Sequence, residues 1–484
     1  MYSGQPEQEF QRKRRNNAVL KKSRRFIICT YRHPLSIFWN NKPQSNRISM
    51  IPENEKPESP KGLKFLFRAL SHRNYRLFFG GQSISLIGTW MQQIAISWMV
   101  YDLTHSAMWL GVVGFSTRIP SFVFAPFGGV FADRWDRHRT LVITQILSMI
   151  QALLLAGLVL TGRIRIWEVV VLSLFLGMIN ALDVPVRQSY IVDMVETKAD
   201  LSNAIALNST MVNGARVIGQ SGAGVLIAAV GVGTCILLNG LSFIAVIAAL
   251  LAMTVQPKER KIKSQPMFKE LKEGFSYAFG SLPIRALILL LVVISLMGMP
   301  FVVLMPIFVD KILHGGPREL GFLMGAPGIG ALLAALYLAS RKNAVGLMRV
   351  VAFASGVFGA GLIVLSFSRH FYFALLVLVV IGFGMIIEMA ATNTLLQTIV
   401  DEDKRGRIMS IYTMAFMGMV PFGSLLAGSL ADTIGTPETI MLSGICCVLG
   451  SLVFALKLPA IRKISQPIYQ AKGLVAEEAV SPLL

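Results

Sequence analysis

Apolar stretches long enough to cross a lipid bilayer recur along most of the chain. A helix needs about 20 apolar residues to cross a hydrocarbon core of about 30 Å. Twelve stretches approach that length, at about residues 77–101, 108–132, 140–161, 166–186, 202–229, 232–255, 284–309, 318–340, 346–367, 371–393, 407–431 and 438–457. This pattern predicts an all-α membrane protein with twelve transmembrane helices.

The polar segments outside these spans predict the rest of the organisation. Residues 1–60 are predicted to be a disordered basic cytoplasmic tail, or a stretch not made before Met50 if translation begins there. In residues 61–76 apolar and basic positions alternate at helical spacing, which predicts an amphipathic helix lying beside the membrane. Residues 256–283 are predicted to form a cytoplasmic central loop with a surface helix from Met267 to Phe279, and residues 458–484 a cytoplasmic tail.

Composition and charge support a membrane protein. Hydrophobic residues make up 54% of the 484 positions and charged residues 15%, against about 25% charged in soluble domains. The net charge of +20 could indicate a nucleic-acid partner. The basic residues lie mainly in the loops on one side, however, as the positive-inside rule describes. We therefore expect no nucleic-acid partner, a multi-pass membrane location and both termini in the cytoplasm.

The residue types that catalysis or metal binding would need are scattered. The four cysteines and six histidines show no metal-ligand spacing, and no phosphate-binding G-x-x-x-x-G-K-[ST] motif occurs. We predict no catalytic residue, no metal, no cofactor and no direct use of ATP. A membrane-embedded enzyme and a receptor remain remote alternatives.

The two halves of the chain echo one another. Leu110 near the start of the second span corresponds to Leu320 near the start of the eighth, and Asp183 in the fourth corresponds to Glu388 in the tenth. Six plus six spans is the parallel-repeat layout of the major facilitator superfamily. The expected fold is therefore two pseudo-symmetric six-helix bundles, residues 77–255 and 284–457.

The loop after the second span carries a motif of that superfamily. It reads GGVFADRWDRHR from Gly128 to Arg139 and resembles the superfamily's signature loop, although Asp136 replaces the usual glycine. The resemblance implies that Asp133 caps the eleventh span and that the basic residues latch the cytoplasmic side shut. The predicted gating residues are Gly129, Asp133, Arg134, Arg137 and Arg139. The alternative is that these charges only set the topology.

A wider resemblance, over about residues 62–457, indicates a subgroup. The strings NYRLFFGGQSISLIGTWMQQIAISWMVYDLT, DVPVRQSYIVDMV and NTLLQTIVDEDKRGRIMSIYTMAFMGMVPFGSLLAG resemble exporters of the enterobactin and macrolide-efflux type, the transmembrane secretion effector family. This implies export of small amphiphilic molecules, such as siderophores, macrolides or drug-like compounds, across a bacterial inner membrane. We expect it to work by alternating access with proton antiport. An uptake carrier or a lysophospholipid flippase of the same fold is the alternative. The expected partners are a small-molecule substrate, protons and membrane lipid, and the expected protein is a monomer.

The fifth span resembles the antiporter motif of the superfamily. Its small residues Gly214, Gly219, Gly222 and Gly224 are spaced for close helix packing. The Gly-Pro step of that motif is Gly219-Gln220 here, so the kink that proline imposes is absent. The alternative is a plain packing face.

Charged and polar residues inside the spans are the remaining candidates, because such residues normally face a partner or a water-filled path. Arg118 and Arg216 come out at similar depth in the outer half, where they would attract an anionic substrate group or bind nearby carbonyls. Asp183 and Glu388 are candidate proton carriers; the alternative is that they cap or latch the cytoplasmic ends, and for Asp183 a pairing with Arg187 one turn on is favoured. The polar residues that could line a cavity are Gln92, Gln93, Asn180 and Asn393.

Overall fold

The computed structural model describes the backbone of residues 67–195, 198–254, 267–341 and 346–471. Within these ranges, the side chains of residues 125–134, 198–199, 267–272 and 471 are not described. The predicted tail at 1–60 and the start of the predicted amphipathic helix therefore lie outside the described residues. The described residues belong to one unit of the fold.

The first half of the described chain is a series of long helices. They are α1 (Arg73–Thr104), α2 (Ala107–Arg134), α3 (Arg137–Leu160), α4 (Ile166–Met194) and a 54-residue element, Lys198–Leu251. At about 1.5 Å per residue, that element would be more than twice as long as a bilayer core is thick. Its backbone turns at Gly231, where φ is 84° and ψ is 166°, a conformation that glycine adopts readily. We therefore treat it as two helices, α5 (198–230) and α6 (232–251).

The second half repeats this arrangement after a short helix, α7 (Met267–Gly280). The long helices that follow are α8 (Leu282–Ile312), α9 (Pro317–Ala339), α10 (Leu347–Phe367), α11 (Phe371–Ile399), α12 (Arg405–Ile434) and α13 (Thr436–Ala471). Helix α8 is not uniform, because two π-helical segments, Ile294–Gly298 and Phe308–Ile312, interrupt it.

Most of these helices are long and apolar enough to cross a membrane. Ten helical elements in the described ranges meet both conditions, with Asp200–Leu251 counted once. Helix α1 is 32 residues long but more polar than the others. Counting α1, and counting α5 and α6 separately, gives twelve spans. The described residues contain helices and no strands, so the predicted all-α membrane fold is confirmed.

Several helices extend further than the apolar stretches predicted. Helix α4 continues to Met194 and α11 to Ile399, and α13 continues to Ala471. The predicted tail at 458–484 is therefore helical for its first 14 residues. Residues past the apolar stretch can stay helical because the backbone hydrogen bonds of a helix do not depend on a surrounding bilayer.

The predicted amphipathic helix does not form as one element over its described part. A 3₁₀ turn, Arg68–Ser71, is followed by an extended residue, His72, and α1 then begins at Arg73. The turn is tied to the start of α5: the Arg68 Nε and His72 Nε2 atoms lie 2.6 and 3.0 Å from the Asp200 carboxylate. The surface helix predicted at Met267–Phe279, by contrast, is present as α7.

The twelve spans form two halves, α1–α6 and α8–α13, which meet mainly along two helix pairs. Helix α2 packs against α12, and α5 packs against α9. We call the end of the bundle where α1 begins and α13 ends the terminal end. The opposite end, where α1 joins α2 and α12 joins α13, is the distal end.

Close packing within the second half depends on glycine. A Cβ placed on Gly444 of α13 would lie 2.6 Å from the Gly359 carbonyl oxygen of α10, and a Cβ on Gly359 would lie 2.8 Å from the Gly444 oxygen. Both neighbours are backbone atoms and cannot move aside without separating the helices. The two glycines therefore set the spacing between α10 and α13.

We expect Gly444→Ala to lower the free energy of unfolding of the purified protein by about 1–3 kcal/mol, because the added methyl group forces α10 and α13 apart. The matched control is Gly214→Ala. A Cβ on Gly214 would meet no atom within 4 Å, so replacing a helical glycine there should be neutral or stabilising by about 0.5–1 kcal/mol. Thermal unfolding in detergent measures both; equal melting temperatures would contradict the packing argument.

Candidate functional site

Polar contacts join the two halves at the distal end. Asp432, near the end of α12, accepts hydrogen bonds from the Ser106 hydroxyl and the Ala107 and Met108 backbone amides, at 2.8, 2.8 and 3.1 Å. The first amides of a helix have no partner inside the helix, and they form the positive end of its dipole. A carboxylate from the second half therefore caps α2 of the first half.

A second polar contact and two backbone approaches complete the distal closure. The Tyr101 hydroxyl of α1 donates a hydrogen bond to Asp310 of α8. Towards the membrane interior, a Cβ on Gly111 would lie 2.6 Å from the Ser424 oxygen of α12, and one on Gly224 would lie 2.5 Å from the Pro317 oxygen of α9. The two halves thus touch at backbone distance in both helix pairs.

At the terminal end, the predicted gating residues contact their own half where their side chains are described. Arg137 donates hydrogen bonds to Asp193 at 2.9 Å and to the Ser189 oxygen at 3.1 Å, both on α4. Arg139 is exposed, and its backbone amide donates to Asp136 at 2.7 Å. Asp136, which replaces the usual glycine of the motif, therefore caps α3.

The side chains of Asp133 and Arg134 and the surroundings of Gly129 are outside what the structure describes. The predicted capping of α12 by Asp133 therefore stays a prediction.

Two arginines lie in the same region of the interface between the halves. Arg118 of α2 and Arg216 of α5 lie close enough to interact electrostatically. The Arg216 guanidinium carbon also lies 4.8 Å from the centre of the Trp90 ring of α1, a cation–π contact. Glycine makes this contact possible, because a Cβ on Gly219 would lie only 2.6 Å from the Ile87 oxygen of α1.

Arg118 faces the boundary between the halves. It shares one face of α2 with Gly111, Phe115 and Phe122, at spacings of about one helical turn. The Phe115 and Phe122 rings pack edge-on against Phe422 of α12, at centroid distances of 6.0 and 5.5 Å. Arg118 lies deep among the helices and is nonetheless accessible to solvent. Its side chain therefore borders a space between the halves.

The two predicted proton carriers have different surroundings. Asp183 of α4 is buried and accepts hydrogen bonds from Thr144 and Gln145 of α3, both at 2.8 Å, while the Arg187 Nε atom lies 3.5 Å away. The contact with Arg187 agrees with the structural alternative, and the bonds to Thr144 and Gln145 in addition join α4 to α3.

Glu388 of α11 is completely buried inside the second half. One carboxylate oxygen accepts a hydrogen bond from the Thr392 hydroxyl at 3.2 Å, and the other has no hydrogen-bond partner. Tyr412 of α12 and Cys447 of α13 lie near enough to interact with it electrostatically. No ion pair to Glu388 occurs among the described side chains.

The polar cavity candidates are distributed over both halves. Gln92 does not line a cavity in this structure: it is buried and bonded to Gln151 of α3 and Asn239 of α6, at 3.1 and 2.6 Å. This network joins three helices of the first half. Gln93, Asn180 and Asn393 are partly exposed, and Asn393 accepts a hydrogen bond from Gln397.

The four glycines of α5 differ in their surroundings. Gly219 and Gly224 lie at close approaches to α1 and α9, whereas a Cβ on Gly214 or Gly222 would meet no atom within 4 Å. Close helix packing is therefore at Gly219 and Gly224 and not, as predicted, at all four positions. Residues spaced for packing along a sequence pack only where a neighbouring helix crosses them.

Three residues that the geometry makes prominent were not among the candidates predicted from the sequence: Trp90, Gln220 and Asp432. Gln220 lies one turn after Arg216, is buried, and has a side-chain oxygen without a hydrogen-bond partner. Asp432 could have been found from its position in the sequence. It lies at the end of α12, which is close to the start of α2, just as Asp133 lies at the end of α2, which is close to the start of α12.

Two halves of six spans, joined along two helix pairs around intramembrane charge, define a transporter of the major facilitator type. The family model described as transmembrane secretion effector matches residues 66–480. The chain belongs to this family, as its motifs predicted.

Similar proteins agree with this assignment. The staphyloferrin A transporter of Staphylococcus aureus is 27% identical over 78% of this chain and 95% of its own length. The enterobactin exporter of Citrobacter koseri is 25% identical over 82% of this chain and 94% of its own. The crystal structure of a bacterial homologue of the human lysosomal transporter Spinster shares the fold, with a TM-score of 0.60 and 13% identity, over 86% of this chain and all of that one.

We expect Asp432→Asn to weaken the distal closure, because the uncharged side chain interacts less favourably with the α2 N-terminus. Asparagine keeps an oxygen that accepts from the amides, so only the charge is lost, at a cost of about 0.3–1 kcal/mol, or roughly a twofold to fivefold fall in the ratio of closed to open molecules. Spin labels at Arg163→Cys and Arg369→Cys, on distal loops of the two halves, report that ratio as a distance distribution in a background without the native cysteines.

Glu438→Gln is the matched control for this experiment, since Glu438 is an exposed acidic residue near the same end. It should leave the distances unchanged. Identical distributions for Asp432→Asn and the parent protein would rule out Asp432 as part of the closure.

Proposed function

We propose that this protein is a secondary active exporter of small amphiphilic organic molecules that works by alternating access. The observation that carries the proposal is the closure of the distal end: contacts between the halves run from Asp432 to Phe122, one turn past Arg118, and the exposed Arg118 side chain borders an accessible space. A transporter of this kind exposes its binding site to one side of the membrane at a time. The structure corresponds to the state closed at the distal end.

The charge of the loops supports an orientation with the terminal end in the cytoplasm. Basic residues that bound the spans there include Arg137, Arg187, Lys404 and Arg407, in agreement with the positive-inside rule. In this orientation both termini and the loop containing α7 are cytoplasmic, and the closed distal end faces outward. The site would therefore load substrate from the cytoplasm.

Helix α7 supports the view that the central loop has a defined structure on the cytoplasmic side. Its Glu273 pairs with Arg407 of α12 at 2.8 Å, and the Tyr277 hydroxyl donates to Asp401 at 3.1 Å. Burial and the neighbouring Asp401 carboxylate raise the pKa of Tyr277, so the tyrosine stays protonated and remains a donor. These contacts link the loop to the second half.

Proton antiport is proposed through Glu388. A carboxylate without a cationic partner in an apolar interior favours its protonated form, and one of its oxygens is unpartnered here. Asp183 is less suitable, because its oxygens already have three partners. In the cycle we propose, Glu388 holds a proton while sealed and releases it when the second half rearranges and admits water.

The substrate class is proposed from the relatives, whose names include a staphyloferrin A transporter, a macrolide efflux protein and an enterobactin exporter. These names cover two siderophores and the macrolides. An exporter of siderophores, macrolides or drug-like compounds, functioning as a monomer in the lipid bilayer, is the proposal that fits all three.

Everted membrane vesicles test this function directly. Their interior corresponds to the outside of the cell, so an acidic interior should drive accumulation of substrate by vesicles that contain the protein. Radiolabelled erythromycin, a catecholate siderophore and a carboxylate siderophore are suitable probes. Accumulation of at least one probe should rise severalfold with the imposed pH gradient. Transport at the same rate with and without the gradient would exclude proton antiport.

We expect Glu388→Gln to abolish the response to the pH gradient while leaving the fold intact, because glutamine matches the size of glutamate and cannot release a proton. The measurement is probe accumulation in everted vesicles at equal protein content. Glu402→Gln is the matched control, since Glu402 is an exposed residue of the terminal end, and it should transport normally. Retained coupling in Glu388→Gln would remove this residue from the mechanism.

A further inference from the structure

We propose that Arg118, Arg216, Trp90 and Gln220 form a subsite that binds the carboxylate of an aromatic hydroxy acid. Such a group would be part of the transported molecule, so the inference rests on the proposed function and narrows its substrate class. It assigns one ligand chemistry to a cluster contributed by α1, α2 and α5.

The first observation is two cations without a counter-charge. Arg118 and Arg216 lie close enough to repel each other, and among the described side chains neither forms an ion pair. Charged groups inside the membrane are normally paired or face a water-filled path. A bound anion would neutralise both guanidinium groups at once, and arginine matches the planar geometry of a carboxylate.

The second observation is a set of unused hydrogen-bonding atoms at the same place. The Nε atom of Arg216 and the Nε1 atom of Trp90 are buried donors without a partner, and the Gln220 Oε1 atom is a buried acceptor without one. Leaving such groups unsatisfied is costly. A carboxylate accepts from the donors, and a hydroxyl beside it donates to Gln220.

Purely structural roles for the arginines do not account for these atoms. An intramembrane arginine can be stabilised by donating to backbone carbonyls, yet in the described part of the chain neither guanidinium makes such a bond. Arg216 lies over the Trp90 ring, which offers a π face and no lone pair. The cluster is therefore held in place without being neutralised.

The surroundings favour an aromatic acid over a small inorganic anion. Phe115 and Phe122 lie one turn on either side of Arg118 and pack against Phe422, which provides an apolar aromatic wall. The crossing of Gly224 with Gly321 lies on the distal side of Gln220, and the contact of Gly328 with Val217 lies on its terminal side, so the subsite is within the interface between the halves. A ligand would enter from the terminal end.

Three related probes test the chemistry. Salicylate carries a carboxylate and an adjacent hydroxyl on a ring, benzoate lacks the hydroxyl, and salicylamide lacks the charge. Calorimetric titration of the purified protein in Tris chloride should give salicylate at least tenfold tighter binding than salicylamide, and benzoate an intermediate value. Equal affinity for salicylate and salicylamide would overturn the proposal without any variant being made.

Variants then locate the binding. Arg118→Gln and Arg216→Gln should each weaken salicylate binding at least tenfold, and Gln220→Leu should remove the advantage of salicylate over benzoate. Arg163→Gln, which removes the same charge from an exposed distal loop, should change nothing. Unaltered salicylate binding in both arginine variants would place the ligand elsewhere and overturn the proposal.

Stability without ligand separates a binding role from a structural one. Removing one of two mutually repelling cations should raise the melting temperature of the ligand-free protein, and added salicylate should no longer raise it further. A fall in melting temperature in both arginine variants, with salicylate still stabilising them, would indicate a structural role and contradict the subsite.

Vesicle transport distinguishes this inference from the proposed function. Export of erythromycin that is unaffected by Arg216→Gln, with no salicylate binding to the parent protein, would leave the exporter standing and overturn the subsite. Salicylate binding that depends on both arginines, with no transport of any probe, would support the subsite and contradict the exporter.

Discussion

The backbone approach of α2 to α12 and of α5 to α9 is the constraint on which the rest of this structure depends. Helices surrounded by lipid gain little from hiding apolar side chains, so they associate through close packing of small residues. Gly111 and Gly224 provide that packing where the halves meet. Buried apolar residues of both halves, such as Leu110 and Leu323, also belong to one continuous cluster. Arg118 and Arg216 lie on the same two helices, about two turns further towards the terminal end.

The antiparallel pair of α2 and α12 has matching chemistry at its two ends. At the distal end, Asp432 of α12 caps the first residues of α2. The signature loop implies the reciprocal arrangement at the terminal end, with Asp133 of α2 beside the start of α12. A rocking motion that closes one end opens the other. In each conformation, the first residues of either α2 or α12 would then be capped by a carboxylate, and those of the other helix would be exposed to water.

The spans were predictable from the sequence because a helix in contact with lipid must be apolar over the thickness of the bilayer core. The ends of α4, α11 and α13 were not, because a helix can continue into water on its own hydrogen bonds. The similar depth of Arg118 and Arg216 was also predictable, because it follows from the rise per residue of an α-helix. The contact of Trp90 with Arg216 could not be predicted, since it depends on how closely Gly219 lets α5 approach α1. The partners of Asp183 likewise became visible only once α3 and α4 were placed side by side.

The two π-helical segments of α8 have a consequence for how that helix can deform. At each, the backbone amide bonds to the carbonyl five residues earlier, as Met299 does to Ile294 and Leu313 to Phe308, at 2.9 and 3.2 Å. Each π-helical turn contains one residue more than an α-helical turn. The side chains that follow it are therefore rotated about the helix axis relative to those that precede it. Helix α8 can therefore change shape by converting a π-helical turn into an α-helical one. That change would rotate Asp310 relative to the first half of the helix, while the loops at both ends of α8 stay in place.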